Sequence, residues 1–216
     1  MGEIKQGKVI EKRVDFVEVS AASSIFPGEV AIGDCFIVSF FKDGVLIGVI
    51  DGLGHGNEAA VAARTASDVL RSHAEEPIIS LMKRCHEALV KTRGAAVTLT
   101  SFNCRDHTIT WTGVGNVKAM LLHVDESFQL HQEDVLLRPG VVGYNLPFLR
   151  ASIVPVYYGD LLIAATDGIQ TDFSSDFIKS LFITGTAEKS AQMILSRYNK
   201  GIDDALVLVA RYLGNA

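Results

Sequence analysis

The sequence predicts an α+β fold built on antiparallel sheets, and three observations carry that expectation. Helix-like and strand-like segments follow in the order strands, two helices, many strands, two helices, strand, which is not the βαβ alternation of a parallel sheet. Residues 35–41 and 45–50 are apolar and β-branched and are separated by Lys42-Asp43-Gly44, a turn triplet, so they read as a hairpin. At 216 residues, 48% of them apolar and 21% charged, the chain can bury a substantial core within the usual size of one domain. Residues 1–216 are accordingly expected to form one compact domain, and no internal repeat, low-complexity tract or linker-like stretch interrupts them.

Taken in order, the hairpin ends on Asp51 and opens into the glycine-rich run Gly52-Leu53-Gly54-His55-Gly56. A helix is expected over residues 57–74, with Ala60, Ala63, Ala66 and Leu70 at helical spacing and Asn57 as its cap. Pro77 suits the first turn of a second helix reaching about Lys91, whose Ile78, Leu81, Met82, Cys85 and Leu89 form one apolar face. Short β-rich runs follow at 96–102, 108–112, 117–123, 128–130, 152–158 and 161–166, punctuated by Gly and Asn, and together resemble an antiparallel meander. Residues 172–181 and 187–198 read as helices and 205–212 as a last strand. Trp111, Phe36, Phe40 and Phe41 are expected in the core.

Composition excludes several classes of function. A formal net charge of −5 with no run of basic residues gives no basis for binding nucleic acid or an anionic membrane surface. The charged N-terminus lacks the apolar segment of a signal peptide, and no apolar stretch approaches the roughly 20 residues that span a bilayer, so a cytoplasmic protein is expected. Three cysteines, Cys35, Cys85 and Cys104, form no CxxC pair and fit reduced thiols better than a disulfide framework or a zinc site. The glycine run lacks both the Gly-Lys-Ser/Thr ending of a P-loop and the GxGxxG spacing of a dinucleotide fold, which argues against nucleotide binding.

Chemistry is expected at the aspartates. Asp34 begins one hairpin strand and Asp51 ends the other, so antiparallel pairing returns both carboxylates to one end of the sheet. Asp167 closes an apolar run, and Asp203 and Asp204 stand immediately before the last strand. Like charges gathered on one rim stay ionised together only if cations neutralise them, and carboxylate and water ligands favour Mg2+ or Mn2+. Taken singly, each Asp beside a Gly is also ordinary turn chemistry. The set is harder to explain that way.

The ordered motifs Gly33-Asp34, Asp51-Gly52-Leu53-Gly54-His55-Gly56, Arg93-Gly94-Ala95-Ala96-Val97-Thr98, Gly113-Val114-Gly115-Asn116, Thr166-Asp167-Gly168 and Asp203-Asp204-Ala205-Leu206 resemble the PP2C-like, SpoIIE-type serine/threonine phosphatase domain over residues 30–212. The Gly115-Asn116 pair and the Arg-Gly-Ala run are similar to the RsbX-type stressosome phosphatases within that family. The resemblance implies a four-layer α-β-β-α sandwich around a central antiparallel β-sandwich, with two Mn2+ or Mg2+ ions. It implies that Asp51 bridges both ions, that the Gly52 carbonyl completes one, and that Asp167 and Asp203 hold the other. Asp34 would be a direct ligand or act through a water, and would share the catalytic role with Asp51. Asp204, Thr98 and Asn116 would support the ligands from behind.

The reaction so implied is hydrolysis of phosphoserine or phosphothreonine by direct attack of a metal-bridging water. Its substrate would be a phosphorylated signalling protein of the STAS-domain or stressosome type. Where eukaryotic relatives place a His directly after the metal-binding Asp-Gly, this chain has Leu53, so the general acid is unassigned and His55 is the nearest imidazole. Arg93 could contact phosphate or serve as a helix-end residue. A non-catalytic module of the same fold, sequestering a signalling partner, is the alternative, as is a hydrolase of small phosphate esters.

Overall fold

The central strands are apolar on both faces, and this fixes the layering. The computed structural model describes residues 10–14, 16–28 and 31–214; residues 1–9, which hold most of the charged N-terminus discussed above, lie outside them. Twelve strands and four helices are present among the described residues: β1 (Ile10–Val14), β2 (Val17–Ser24), β3 (Asp34–Phe41), β4 (Gly44–Gly52), α1 (Gly56–Ser72), α2 (Ile78–Leu89), β5 (Ala95–Asn103), β6 (Thr108–Val114), β7 (Lys118–Val124), β8 (Leu130–Asp134), β9 (Leu137–Arg138), β10 (Ser152–Pro155), β11 (Leu161–Ala165), α3 (Ser175–Ile183), α4 (Ala187–Tyr198) and β12 (Ala205–Tyr212).

One sheet runs β1-β2-β12-β11-β7-β8 and the other β10-β6-β5-β4-β3. All pairings are antiparallel except the short β9, which lies parallel to β6. In β4, Val45, Ile47 and Val49 face the β1-β2-β12-β11-β7-β8 sheet, while Leu46 and Ile50 face α1 and α2. In β12, Leu206, Leu208 and Ala210 face the first of these cores, while Ala205, Val207 and Val209 pack with α3 and α4. A period of two therefore splits each central strand between an inter-sheet core and a helix–sheet core. The result is the α-β-β-α sandwich expected, with Trp111 and the partly buried Phe36 and Phe40 in its middle layer and Phe41 against the helices.

The expected helix faces are present. Ile78, Leu81, Met82, Cys85 and Leu89 are all buried, and α1 buries Ala59, Ala60, Ala62, Ala63, Ala66 and Leu70. Small residues let α1 approach β4 closely: a Cβ at Gly52 would stand 2.1 Å from the Ala59 carbonyl oxygen. No disulfide joins the three cysteines.

Several boundaries differ from the expectation. The cap of α1 is His55, in extended conformation, rather than Asn57, because the turn into the helix is made one glycine earlier, at Gly54 and Gly56 with positive φ. In the β3–β4 turn the positive φ falls on Asp43, whereas Gly44 is required by close approach, since a Cβ there would lie 2.4 Å from the Phe102 carbonyl oxygen. The third helix starts at Ser175, where the Ser174 hydroxyl accepts from the Phe177 N–H, and not at Asp172. Residues 128–130 contain a turn at Phe128 (φ 59°) and the strand begins only at Leu130.

The runs after Ala95 do not form one meander, because the Gly115 turn (φ 98°) carries the chain from β6 in one sheet to β7 in the other. The strands β1 and β2 were not anticipated. Val-Glu-Val-Ser-Ala-Ala-Ser-Ser has small side chains of modest β-propensity, yet β2 lies buried between β1 and β12 and beneath α4, so packing decides its conformation. No described helix is long and apolar enough to cross a membrane.

Leu70 is fully buried between α1 and the sheet. Leu70→Ala is expected to lower stability by about 2–5 kcal/mol, measured by urea unfolding followed through Trp111 fluorescence.

Candidate metal centre

The same period-two alternation that fills the core also aims the acidic residues. Asp51 follows Val45, Ile47 and Val49 on the inter-sheet face of β4, and Asp34 is its direct cross-strand partner on β3. Both carboxylates therefore point into the open end of the sandwich. Across the gap, Thr166 continues the inter-sheet face of β11 after Leu162 and Ala164. Its hydroxyl donates to Asp34 Oδ2 at 2.7 Å and accepts the Leu206 N–H at 2.9 Å. That chain of bonds joins the two sheets directly beneath the acidic cluster. Its middle member, Thr166, belongs to the Thr166-Asp167-Gly168 motif, where nothing local in the sequence marks its role.

A cavity of about 420 Å3 lies above, lined by Phe26, Asp51, Leu53, Gly54, His55, Asn116, Asp167, Ile202 and Asp203. Three of the predicted carboxylates thus share one cavity although they are up to 152 positions apart in sequence (51 to 203). Asp34 is buried beneath it, 6% exposed. Asp204 is also buried, and both its oxygens are used by backbone: Oδ1 accepts the Phe26 N–H at 2.8 Å and Oδ2 the Gly33 N–H at 2.7 Å. It clamps the segment leading into Asp34. Asp203, which lines the cavity, accepts the Asp204 N–H on Oδ1 at 2.8 Å.

Asn116 does touch a candidate ligand, its Nδ2 donating to Asp167 Oδ2 at 2.8 Å. Lys200 Nζ donates to the Asp167 carbonyl at 2.6 Å, which fixes that loop from the other side. Thr98 is placed differently from the expectation. Its hydroxyl donates to the Val117 carbonyl at 2.6 Å, so it ties β5 to the start of β7 and bonds none of the carboxylates. Gly52 donates its N–H to the Gly33 carbonyl at 3.1 Å and has no room for a side chain. Arg93 pairs with Glu58 and packs against Gly54 next to the cavity.

Electrostatics set the requirement for a cation. Burial, followed by the Asp167 and Asp203 charges, raises the Asp51 carboxyl to about 7. Burial and then Asp51 raise Asp34 well above the ordinary range, the Thr166 bond opposing them. Among the described residues no three His, Cys, Asp or Glu side chains close tightly around one point. The donors are instead carboxylate oxygens spread over a cavity with room for water. This all-oxygen donor set suits Mg2+ or Mn2+ and not zinc.

Two outcomes follow. Asp204→Ala removes two charge-assisted bonds to backbone donors, one buried and one partly buried, and is expected to destabilise the protein by about 2–4 kcal/mol, read by thermal and urea unfolding. For the protein in chelator, Asp51 is protonated more readily when folded (about 7) than at its ordinary value of 3.8. The folded state therefore binds more protons between those values, and stability falls as pH rises from about 4 to 7. Asp51→Asn is expected to flatten that slope, and added Mg2+ to reduce it, in unfolding curves taken across this range.

Comparison with known proteins fits this geometry. Residues 42–213 match the family model of stage II sporulation protein E (SpoIIE). The phosphoserine phosphatase RsbX of Bacillus subtilis (strain 168) is 30% identical over 94 residues, which is 44% of this chain and 47% of that protein, so the match spans about half the length of the curated relative. A solved chain from the bacterial stressosome, a modular system adapted to control secondary messenger signalling, superposes with TM-score 0.82 at 31% identity, covering 90% of this chain and 99% of the other. RsbX in complex with magnesium superposes with TM-score 0.82 at 21% identity, covering 95% of this chain and 100% of the other, a likeness of fold. With four-fifths of its length matched by one family model, and the six motifs of that family in order on one α-β-β-α frame, the chain belongs to the SpoIIE family of PP2C-like domains.

Proposed function

We propose that residues 1–216 act as one unit, a metal-dependent phosphatase that hydrolyses phosphoserine or phosphothreonine on proteins of bacterial stress signalling. The observation that carries this reading is the gathering of Asp51, Asp167 and Asp203 around one open cavity, over a buried Asp34 tied to Thr166. The similarity to a phosphoserine phosphatase supports the reaction class, and the likeness to a stressosome chain supports a signalling substrate, with a STAS-domain phosphoprotein as the specific candidate.

Mg2+ or Mn2+, two ions in this reading, would be held by Asp51, Asp167 and Asp203 with the Gly52 carbonyl, and would supply charge neutralisation at the phosphoryl oxygens and acidification of an attacking water. The protein's own part is positional. Asn116 orients the cavity-lining Asp167 by donating to one of its oxygens. Asp34, with Oδ2 held by Thr166 and its backbone paired with that of Asp51, assists Asp51 from below. Asp204 serves that pair by fixing Gly33. His55 lines the cavity at the helix N-terminus, a place from which an imidazole could protonate the departing serine oxygen. The retained carboxylates favour catalysis over a purely sequestering module.

The test is manganese-dependent phosphate release from a phosphoserine protein. Asp51→Asn is expected to lower kcat by about a hundredfold or more, and chelator to abolish release. Undiminished turnover in Asp51→Asn would place the chemistry elsewhere. Failure of calorimetry to detect Mn2+ or Mg2+ binding at millimolar concentration would favour the module. Comparable turnover of small phosphate esters and phosphoprotein would instead make the protein a general phosphomonoesterase.

A further inference from the structure

The acidic cavity has an apolar mouth. Three of its lining side chains are Phe26, Leu53 and Ile202, which are 36%, 45% and 73% exposed, and Ile25 beside Phe26 is 44% exposed. They come from three separate segments, the β2–β3 connection, the loop after β4 and the loop before β12. Isolated exposed apolar residues need no explanation, but several converging on one polar site mark a surface that another molecule covers.

Each of these residues is placed by the backbone that places a carboxylate. The Phe26 N–H is held by Asp204, which also holds Gly33 next to Asp34. Leu53 follows Gly52 directly and donates its N–H to the Gly94 carbonyl at 3.0 Å. Ile202 immediately precedes Asp203. The apolar rim and the acidic floor are therefore one rigid construction, and a ligand meeting one meets the other. Asp167 and Asp203 are themselves exposed, so an acidic group flanking the phosphate would face like charge on both sides.

We propose that Phe26, Leu53 and Ile202 determine substrate specificity, selecting phosphoserine or phosphothreonine flanked by apolar rather than acidic side chains of a protein segment. This rests on the phosphatase reading above and assigns the class of sequence it acts on. Leu53, exposed at the cavity's edge, acquires a role here as contact surface. The rim holds a neighbouring side chain while the phosphate enters between the carboxylates.

The experiment uses the full chain with Mg2+ and three fluorescein-labelled peptides, each carrying a non-hydrolysable methylene phosphonate in place of phosphoserine, flanked by isoleucine, glycine or glutamate. In anisotropy titrations the isoleucine-flanked peptide is expected to bind about tenfold more tightly than the glycine-flanked one, the gain of burying one or two methylene groups, and the glutamate-flanked one more weakly than either. Ile202→Ser and Leu53→Ser, at positions 73% and 45% exposed and outside the buried core clusters, are expected, singly and more so together, to cut the isoleucine preference several-fold, with far-ultraviolet circular dichroism confirming that each variant is folded. Equal Kd values for the isoleucine and glycine peptides, or a preference that survives in the double variant, would overturn the inference.

Phosphate release from the matching phosphoserine peptides with Mn2+ is measured in parallel. Release from none of them removes the phosphatase reading, whereas release from all at equal kcat/KM, with equal Kd values, removes only the specificity assignment.

Discussion

Repulsion between carboxylates is the constraint on which the rest of this structure depends. Asp34, Asp51, Asp167, Asp203 and Asp204 are gathered at one end of a β-sandwich, where burial first and then their mutual charge raise Asp34 and Asp51. The fold opposes that repulsion with backbone. The Thr166 hydroxyl links Asp34 to Leu206, Asp204 accepts from Phe26 and Gly33, and Lys200 with Asn116 fixes the Asp167 loop. Buried groups of this kind are tolerated only when fully bonded. The paired sheets, apolar on both faces in their central strands, supply a frame stiff enough to hold them.

Much of this was legible in the chain because it rests on local periodicity. The β3–β4 hairpin could be read from two apolar runs and a turn, and the pairing of Asp34 with Asp51 followed from it directly. The faces of α2 and the small-residue face of α1 were likewise set by spacing. Asp167 and Asp203 could be expected at strand ends, though only their ordered motifs connected them to the first pair.

What escaped the sequence depends on contacts between distant segments. β2 is a strand because β1, β12 and α4 surround it, not because Ser and Ala favour extension. Thr166 matters through a partner 132 residues away, and Phe26 through one 178 residues away. Thr98 misled for the same reason: a strand threonine can bond a carboxylate or a backbone carbonyl, and only the crossing from β6 to β7 makes Val117 the acceptor. Glycine was ambiguous too, since Gly54 serves conformation whereas Gly44 and Gly52 serve close approach.

The position of β12 has a consequence for assembly. It follows every other described element in the chain, yet it lies between β2 and β11 rather than at an edge of its sheet. Before it docks, the first sheet is two unconnected pieces, and both Asp203 and the clamp on Gly33 are missing. The strand that closes the sheet therefore also delivers the last parts of the acidic centre. Closure of the sheet and assembly of the acidic centre thus depend on the same strand, so a chain in which β12 has not docked has no assembled centre.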